Sequence, residues 1–123
     1  MNIAEYIWLD GTSPDQKLRS KTRSLSLTSA NPTVDDFPQW GYDGSSTYQA
    51  TGGDSDLVLV PVRVLRDPIR GAGRYLVLCE VTYADGTPHE TNLRARLREV
   101  LDAGAAADAP WFGIEQEYTL FQN

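Results

Sequence analysis

The sequence predicts an α+β domain, a mixed β-sheet packed on one helix. Three features carry that expectation. Four β-rich or alternating stretches precede residue 84, one amphipathic stretch follows at residues 91–103, and a last β-rich run occupies 111–121. Strands and helix alike carry an apolar face that must be covered, and laying one on the other is the economical solution. The chain has 123 residues, enough for one compact domain with a modest core. Its 41% hydrophobic and 10% aromatic content separates it from disordered chains, which bury too little to offset the entropy of ordering.

Residues 3–9, IAEYIWL, are aromatic and β-branched and read as a strand, closed by the turn signal DGTSPD. KLRSKTRSLSL then alternates and reads as its hairpin partner. Within it Lys17, Arg19, Lys21 and Arg23 share one face. They read as a solvated or oligomer-facing edge, because charge on an open strand discourages unwanted pairing; an anion site is the lesser reading. Residues 31–56 show no sustained period and are dense in Gly, Pro, Ser and Asp. A loop of that length inside a compact domain is functional or disordered, and Trp40, Tyr42 and Tyr48 argue for order. LVLVPVRVL, 57–65, reads as a strand in which Pro61 marks an edge or a bulge. After the turn DPIRGAGR, YLVLCEVTY, 75–83, reads as another apolar strand, ended by ADGTPHE. Thr91 is the expected N-cap of the helix NLRARLREVLDAG and Gly104 its expected C-cap. Leu93, Leu97, Val100 and Leu101 fall on one stripe, with Arg94, Arg96, Arg98 and Glu99 facing away. WFGIEQEYTLF is expected to re-enter as a strand. The order is β-β, long loop, β-β, α, β, which a domain of the β-grasp type fits.

Composition excludes several classes of function. A formal net charge of -6 argues against a nucleic-acid partner, which calls for a basic stripe. The single cysteine, Cys79, cannot form an internal disulfide and sits in an apolar run where a buried, inert thiol is expected. The N-terminus carries acids where a signal peptide would carry lysines, and no apolar run approaches the ~20 residues of a membrane span. The expectation is a soluble cytoplasmic protein without membrane contact. His89, the only histidine, lies among turn residues with no partner visible and is expected at the surface or in a loop, so Ser-His-Asp catalysis is poorly supported. TGGD and RGAGR lack the phosphate-cradle and dinucleotide patterns.

Three carboxylates remain. In an extended segment Glu115 and Glu117 point the same way, ~6.6 Å apart. Either they form the wet face of a half-solvated strand, or they hold hard divalent cations, for which oxygen ligands are preferred. Asp43, in WGYDGSST, is either an ordinary Asp-Gly turn residue or a carboxylate presented outward by an ordered loop, with Ser45, Ser46 and Thr47 beside it.

Taken together, AEYIWLDGT (4–12), LRSKTRSL (18–25), WGYDGSSTYQA (40–50), DSDLVLVPVRVLRDP (54–68), TNLRARL (91–97) and WFGIEQEYTLF (111–121) resemble glutamine synthetase of the type II class, in the family's order and over nearly the whole chain. The resemblance implies a β-grasp N-terminal domain at 1–103, with 104–123 the linker and first strand of an incomplete catalytic domain. It implies an ATP-dependent ligase that makes glutamine from glutamate and ammonia through an acyl phosphate, with two Mg²⁺ or Mn²⁺ ions. Glu115 and Glu117 match the family's E-x-E metal ligands. Asp43 matches the aspartate of its D-G-S-S loop, which reaches a neighbouring subunit's site in a double-ring homo-oligomer, binds ammonium and takes its proton. Ser46 belongs to that loop. Gly41, Tyr42 and Tyr48 depart from the family's W-N-F-D-G-S-S-T-G-Q. The implied chain is inactive alone, because each site needs two subunits and most of the catalytic domain has no counterpart here. A stand-alone β-grasp interaction module is the alternative, and a small two-carboxylate hydrolase the weakest reading. An unpaired last strand is expected to promote self-association.

Overall fold

The computed structural model describes residues 1–122; Asn123, the end of the predicted 104–123 segment, lies outside the described residues. Strands β1 (Asn2–Leu9), β2 (Leu18–Leu25), β3 (Trp40–Asp43), β4 (Asp56–Arg66) and β5 (Arg74–Tyr83) form one mixed sheet, followed by a single helix, α1 (Leu93–Asp102). The sheet order is β2-β1-β5-β4-β3. β1 and β5 run parallel and the other neighbours antiparallel, as expected of a β-grasp domain. None of the described helices is long and apolar enough to cross a membrane.

Alternation along the strands puts the core on one face. Ala4, Tyr6 and Trp8 of β1, Leu57 and Leu59 of β4, and Tyr75, Val77, Cys79 and Val81 of β5 are buried together, with Phe37 laid over them. Cys79 is a buried thiol, as expected, and burial pushes its pKa up to about 12. Pro61 marks a bulge: the register slips between Pro61 and Arg63. Residues 57, 59 and 61 face inward before it, and Val64 packs against the core after it, so the extra residue reverses the phase of the strand.

The basic residues of edge strand β2 are half-buried on the core side of the sheet rather than turned to its outer face. Arg23, Lys21 and Arg19 pair across from Ala4, Tyr6 and Trp8 and therefore lie on the core side. The sheet curls, and its two edge strands approach one another. Lys21 of β2 reaches β3, its ammonium 3.7 Å from the Trp40 ring centroid and donating to the Gly41 carbonyl at 3.0 Å. Arg23 lies over the same ring at 5.0 Å, and the Tyr6 hydroxyl donates to the Pro38 carbonyl. Long cationic side chains close such a gap well, since their stems cover apolar surface while their heads keep polar or aromatic partners. Lys17 precedes β2 and is exposed.

Residues 31–56 are ordered but not strand-free. They contain a 3-10 turn at Val34–Asp36, the four-residue β3, and a second 3-10 turn at Gly44–Thr47. Four residues are too few to establish a period, so β3 was hidden in the loop.

The helix differs from expectation at both caps, Asn92 and Ala103 in place of Thr91 and Gly104, and in the face it turns to the sheet. Its N-cap is Asn92, not Thr91: the Asn92 side chain accepts from the Ala95 N–H at 3.1 Å and donates to the Val81 carbonyl at 3.0 Å. Thr91 is otherwise engaged, its hydroxyl meeting Gln49 and His89. The leucine stripe is also not buried. Leu93 and Leu97 are each 53% exposed, while Ala95 is 2% exposed and makes the close contact. The second tie is ionic: Arg98 Nη1 donates to both oxygens of buried Glu80 at 2.7 and 2.8 Å, with Arg94 3.4 Å away. Gly104, at φ 129°, follows the capping residue Ala103 and turns the chain out of the helix.

Residues 111–122 form no strand. A strand needs a neighbour to accept its ladder of hydrogen bonds, and the described part of the chain presents none to this segment. Trp111 (96%), Ile114 (95%) and Phe121 (89%) are almost wholly exposed.

Candidate functional site

Asp43 ends β3 and starts the next turn. Its carboxylate caps Gly44–Thr47, accepting from the Ser45 N–H at 2.8 Å and the Ser45 hydroxyl at 2.6 Å. The two readings of this residue therefore coincide: Asp43 is a turn residue and also an exposed carboxylate at the tip of an ordered loop. The Ser45 hydroxyl, the Ser45 N–H and the Ser55 hydroxyl hold its pKa below the usual carboxylate range. Ser46 is exposed beside it and donates to the Asp43 main-chain carbonyl at 3.1 Å, which fixes the backbone of the same turn. A side chain at Gly44 would come within 2.5 Å of buried Leu57, so this position admits only glycine at small cost.

The loop is held from beneath by side chains that no local pattern announces. Tyr48 takes a left-handed conformation at φ 59°, turning its own ring outward and delivering Gln49 inward. Gln49 is the hub. Its side-chain oxygen Oε1 accepts from the Tyr42 hydroxyl at 2.7 Å and the Thr47 hydroxyl at 2.8 Å. Its amide nitrogen donates to the Leu9 carbonyl at 3.1 Å and to Thr91 Oγ1 at 2.8 Å. The end of β1 adds another tie, Gly11 N–H to the Thr47 carbonyl at 2.9 Å. A Cβ at Gly11 would lie 2.0 Å from the Tyr48 carbonyl oxygen, so the two backbones can meet only because Gly11 has none.

His89 joins this network, against the expectation of a surface residue. It is 3% exposed, with Nε2 2.6 Å from the Gln49 carbonyl oxygen and Nδ1 2.9 Å from Thr91 Oγ1. Burial follows from a contact forty residues away in sequence, which the turn composition around His89 does not signal.

Asp10, also unpredicted, fastens the β1–β2 hairpin. It is fully buried and accepts from the N–H groups of Thr12 and Lys17, the Thr12 hydroxyl and Arg19 Nε, all at 2.8 to 2.9 Å. Burial alone would raise its pKa. The Lys17 and Thr12 N–H groups, with Arg19 and the Thr12 hydroxyl, outweigh that and hold it well below the usual carboxylate range.

Arg19 and Lys21 line, with Trp8, Tyr42, Asp43 and Ser46, an open cleft of about 380 Å³ beside the loop. Burial, followed by the nearby Arg23 charge, lowers the Lys21 pKa. Burial raises that of the Tyr42 hydroxyl. Asp43 thus shares this cleft with two cationic side chains, Arg19 and Lys21.

Glu115 and Glu117 are exposed within the irregular segment 111–122, and the cleft beside Asp43 is not lined by that segment. Among the described residues no group of three or more His, Cys, Asp or Glu side chains is arranged to hold a metal ion. As a donor set, two accessible carboxylates two residues apart fit a hard divalent cation in kind, as one or two protein ligands of a larger oxygen shell.

The family model for the glutamine synthetase beta-Grasp domain matches residues 1–84, which include all five strands, Asp43 and Ser46. A glutamine synthetase of Streptomyces viridochromogenes is 57% identical over 120 residues, covering 98% of this chain and 34% of the relative. A chloroplastic glutamine synthetase of Chlamydomonas reinhardtii is 48% identical over 124 residues, covering 95% of this chain and 32% of the relative. A glutamine synthetase of Suillus bovinus is 48% identical over 118 residues, covering 96% of this chain and 32% of the relative. The chain spans about a third of the length of these curated relatives. A curled mixed sheet of five strands with one helix, matched by that model over more than half its length, establishes that this chain belongs to the glutamine synthetase β-grasp family.

Proposed function

We propose that this chain is the N-terminal part of a glutamine synthetase, an ATP-dependent ligase that joins ammonia to the side-chain carboxylate of glutamate. The observation that carries the reading is the exposed Asp43 carboxylate, locked by Ser45 on a loop anchored beneath by the hydrogen bonds of Tyr42 and Thr47 to Gln49. A carboxylate so placed can serve a site outside its own domain, and in this reading that site belongs to a neighbouring copy of the protein.

The chemistry follows from its charge. Like any carboxylate whose pKa is ordinary or lowered, Asp43 is ionised at neutral pH, which favours capture of ammonium by charge attraction. Its lowered pKa weakens it as a base toward free ammonium. Ammonium has no lone pair, so one proton must leave it before attack, and Asp43 beside it is the group that can accept that proton. Ammonia then attacks the acyl phosphate, phosphate departs, and the excess proton on the new amide nitrogen, now strongly acidic, is lost last. Ser46 fixes the turn that aims Asp43. Glu115 and Glu117 would each help hold one divalent ion, Mg²⁺ or Mn²⁺. When bound, such ions offset phosphate charge during phosphoryl transfer. ATP and glutamate would be bound mainly by other parts of the assembled protein, so this chain alone is not active.

Exchange of the matching third of the Streptomyces viridochromogenes relative for this chain provides the test. The chimera should release phosphate from ATP only when glutamate, ammonium and Mg²⁺ or Mn²⁺ are all present. Asp43→Asn should cut turnover by about 100-fold, within the range for losing an acid–base group, and Glu117→Gln should raise the metal concentration needed. A correctly assembled chimera without turnover, or one indifferent to Asp43→Asn, overturns the proposal.

A further inference from the structure

We infer that His89 is a positioning residue for the Asp43 loop, setting the aim of Asp43 and Ser46 without touching substrate. The inference builds on the role proposed for that loop. It starts from an otherwise unexplained fact: the chain's only histidine is buried, 3% exposed, yet has no place in the core cluster.

The hydrogen bonds fix its form. Nδ1 lies 3.2 Å from the Thr91 N–H, which can only donate, so Nδ1 is the acceptor. Thr91 Oγ1 accepts from Gln49 Nε2, leaving its own proton free to turn toward Nδ1. Nε2 therefore carries the proton and donates to the Gln49 carbonyl at 2.6 Å. One imidazole ring links the main chain of the loop's last anchor to the β5–α1 connection, whose Asn92 and His89 N–H are themselves tied to Val81 of β5.

The link matters because the loop closes on the same residue. The Gln49 N–H donates to the Gly44 carbonyl at 2.9 Å, and Gly44 immediately follows Asp43. A shift of Gln49 thus moves both ends of the turn that Asp43 caps. Misplacement by ~1 Å at a catalytic group can cost ~100-fold in rate, so a rigid strut beneath the turn affects chemistry it never contacts.

Two variants separate positioning from bulk. Asn is too short to reach the Gln49 carbonyl. Gln can place an amide N–H near the Nε2 position. In the 123-residue chain, amide hydrogen exchange read by NMR should rise about tenfold or more at Ser45, Ser46 and Gln49 in His89→Asn, the size expected from one buried hydrogen bond. It should stay unchanged at Tyr6 and Ile7 of β1, and His89→Gln should restore most of the protection. In the active chimera, His89→Asn should raise the ammonium KM with the ATP KM unchanged. Equal exchange in wild type and His89→Asn at residues 45–49, or a uniform rise across the sheet, overturns the inference. An inactive chimera counts against the glutamine synthetase reading alone, because the exchange comparison requires no turnover.

Discussion

Asp10 shows how one residue can decide a local structure. Four donors converge on a carboxylate with no solvent contact, so removing it unpairs Arg19 and two main-chain N–H groups at once. Asp10→Ala should destabilise the chain by about 3 kcal/mol, chiefly from leaving the Thr12 and Lys17 main-chain N–H groups unpaired, since Arg19 is partly exposed and can turn to water. The pH dependence follows in sign. Its folded pKa is depressed, so its contribution is fully present above the unfolded value of ~4 and is lost as pH falls through the folded value. Urea unfolding of wild type should therefore weaken steadily below about pH 4, and Asp10→Asn should show a flatter acid limb; parallel curves for the two proteins would remove Asp10 from the account. At this scale the sequence was half legible. The alternation of β1 and the Asp-Gly turn signal at 43 and 44 are local and were readable. The burial of His89, and the hub at Gln49, depend on residues forty positions apart meeting in space, and no local composition encodes that.

At the scale of elements, packing overrode pattern in the helix. Leu93, Leu97 and Val100 follow a clean amphipathic spacing, yet what ties α1 to the sheet is Ala95 and the pairing of Arg98 with Glu80. Burial of Glu80, 4% exposed, makes the ion pair the costlier contact to lose. Arg98→Met should lower stability by about 1–3 kcal/mol, with Arg94 at 3.4 Å limiting the damage. Leu97→Ala should cost less than about 1 kcal/mol, since half the side chain is already wet. Thermal unfolding of the two variants side by side checks the order, and a larger loss for Leu97→Ala would mean that the stripe is covered in solution. Pro61 is the opposite case. A residue without an N–H inside a β-rich run has few places to sit, and the bulge beside it is one of them. β3 was unreadable because four residues carry no period, although its Trp40 and Tyr42 already argued for order.

Over the whole molecule, the curl of the sheet completes one apolar core and leaves a second apolar surface uncovered. Leu93 and Leu97 line a groove of about 310 Å³ with Leu9 and Leu78. Trp111, Phe112, Ile114, Tyr118, Leu120 and Phe121 stand exposed beyond α1. Monomeric soluble proteins rarely show that much contiguous or neighbouring apolar surface, so the 123-residue chain should associate with itself in a concentration-dependent way. The alternation of that segment was legible, and its side chains remain those of a strand; what the sequence could not supply was the neighbour that a strand requires. Substituting Trp111 and Ile114 with Lys should shift size-exclusion light scattering toward the 13.6 kDa monomer, leaving amide protection in β1 and β5 unchanged. In the chimera the same two substitutions should instead reduce folded yield, because the relative's remaining length would supply a partner that buries them. A wild-type chain that stays monomeric across the concentration range would show that 111–121 is covered from within, and would remove the exposed surface as the reason for association.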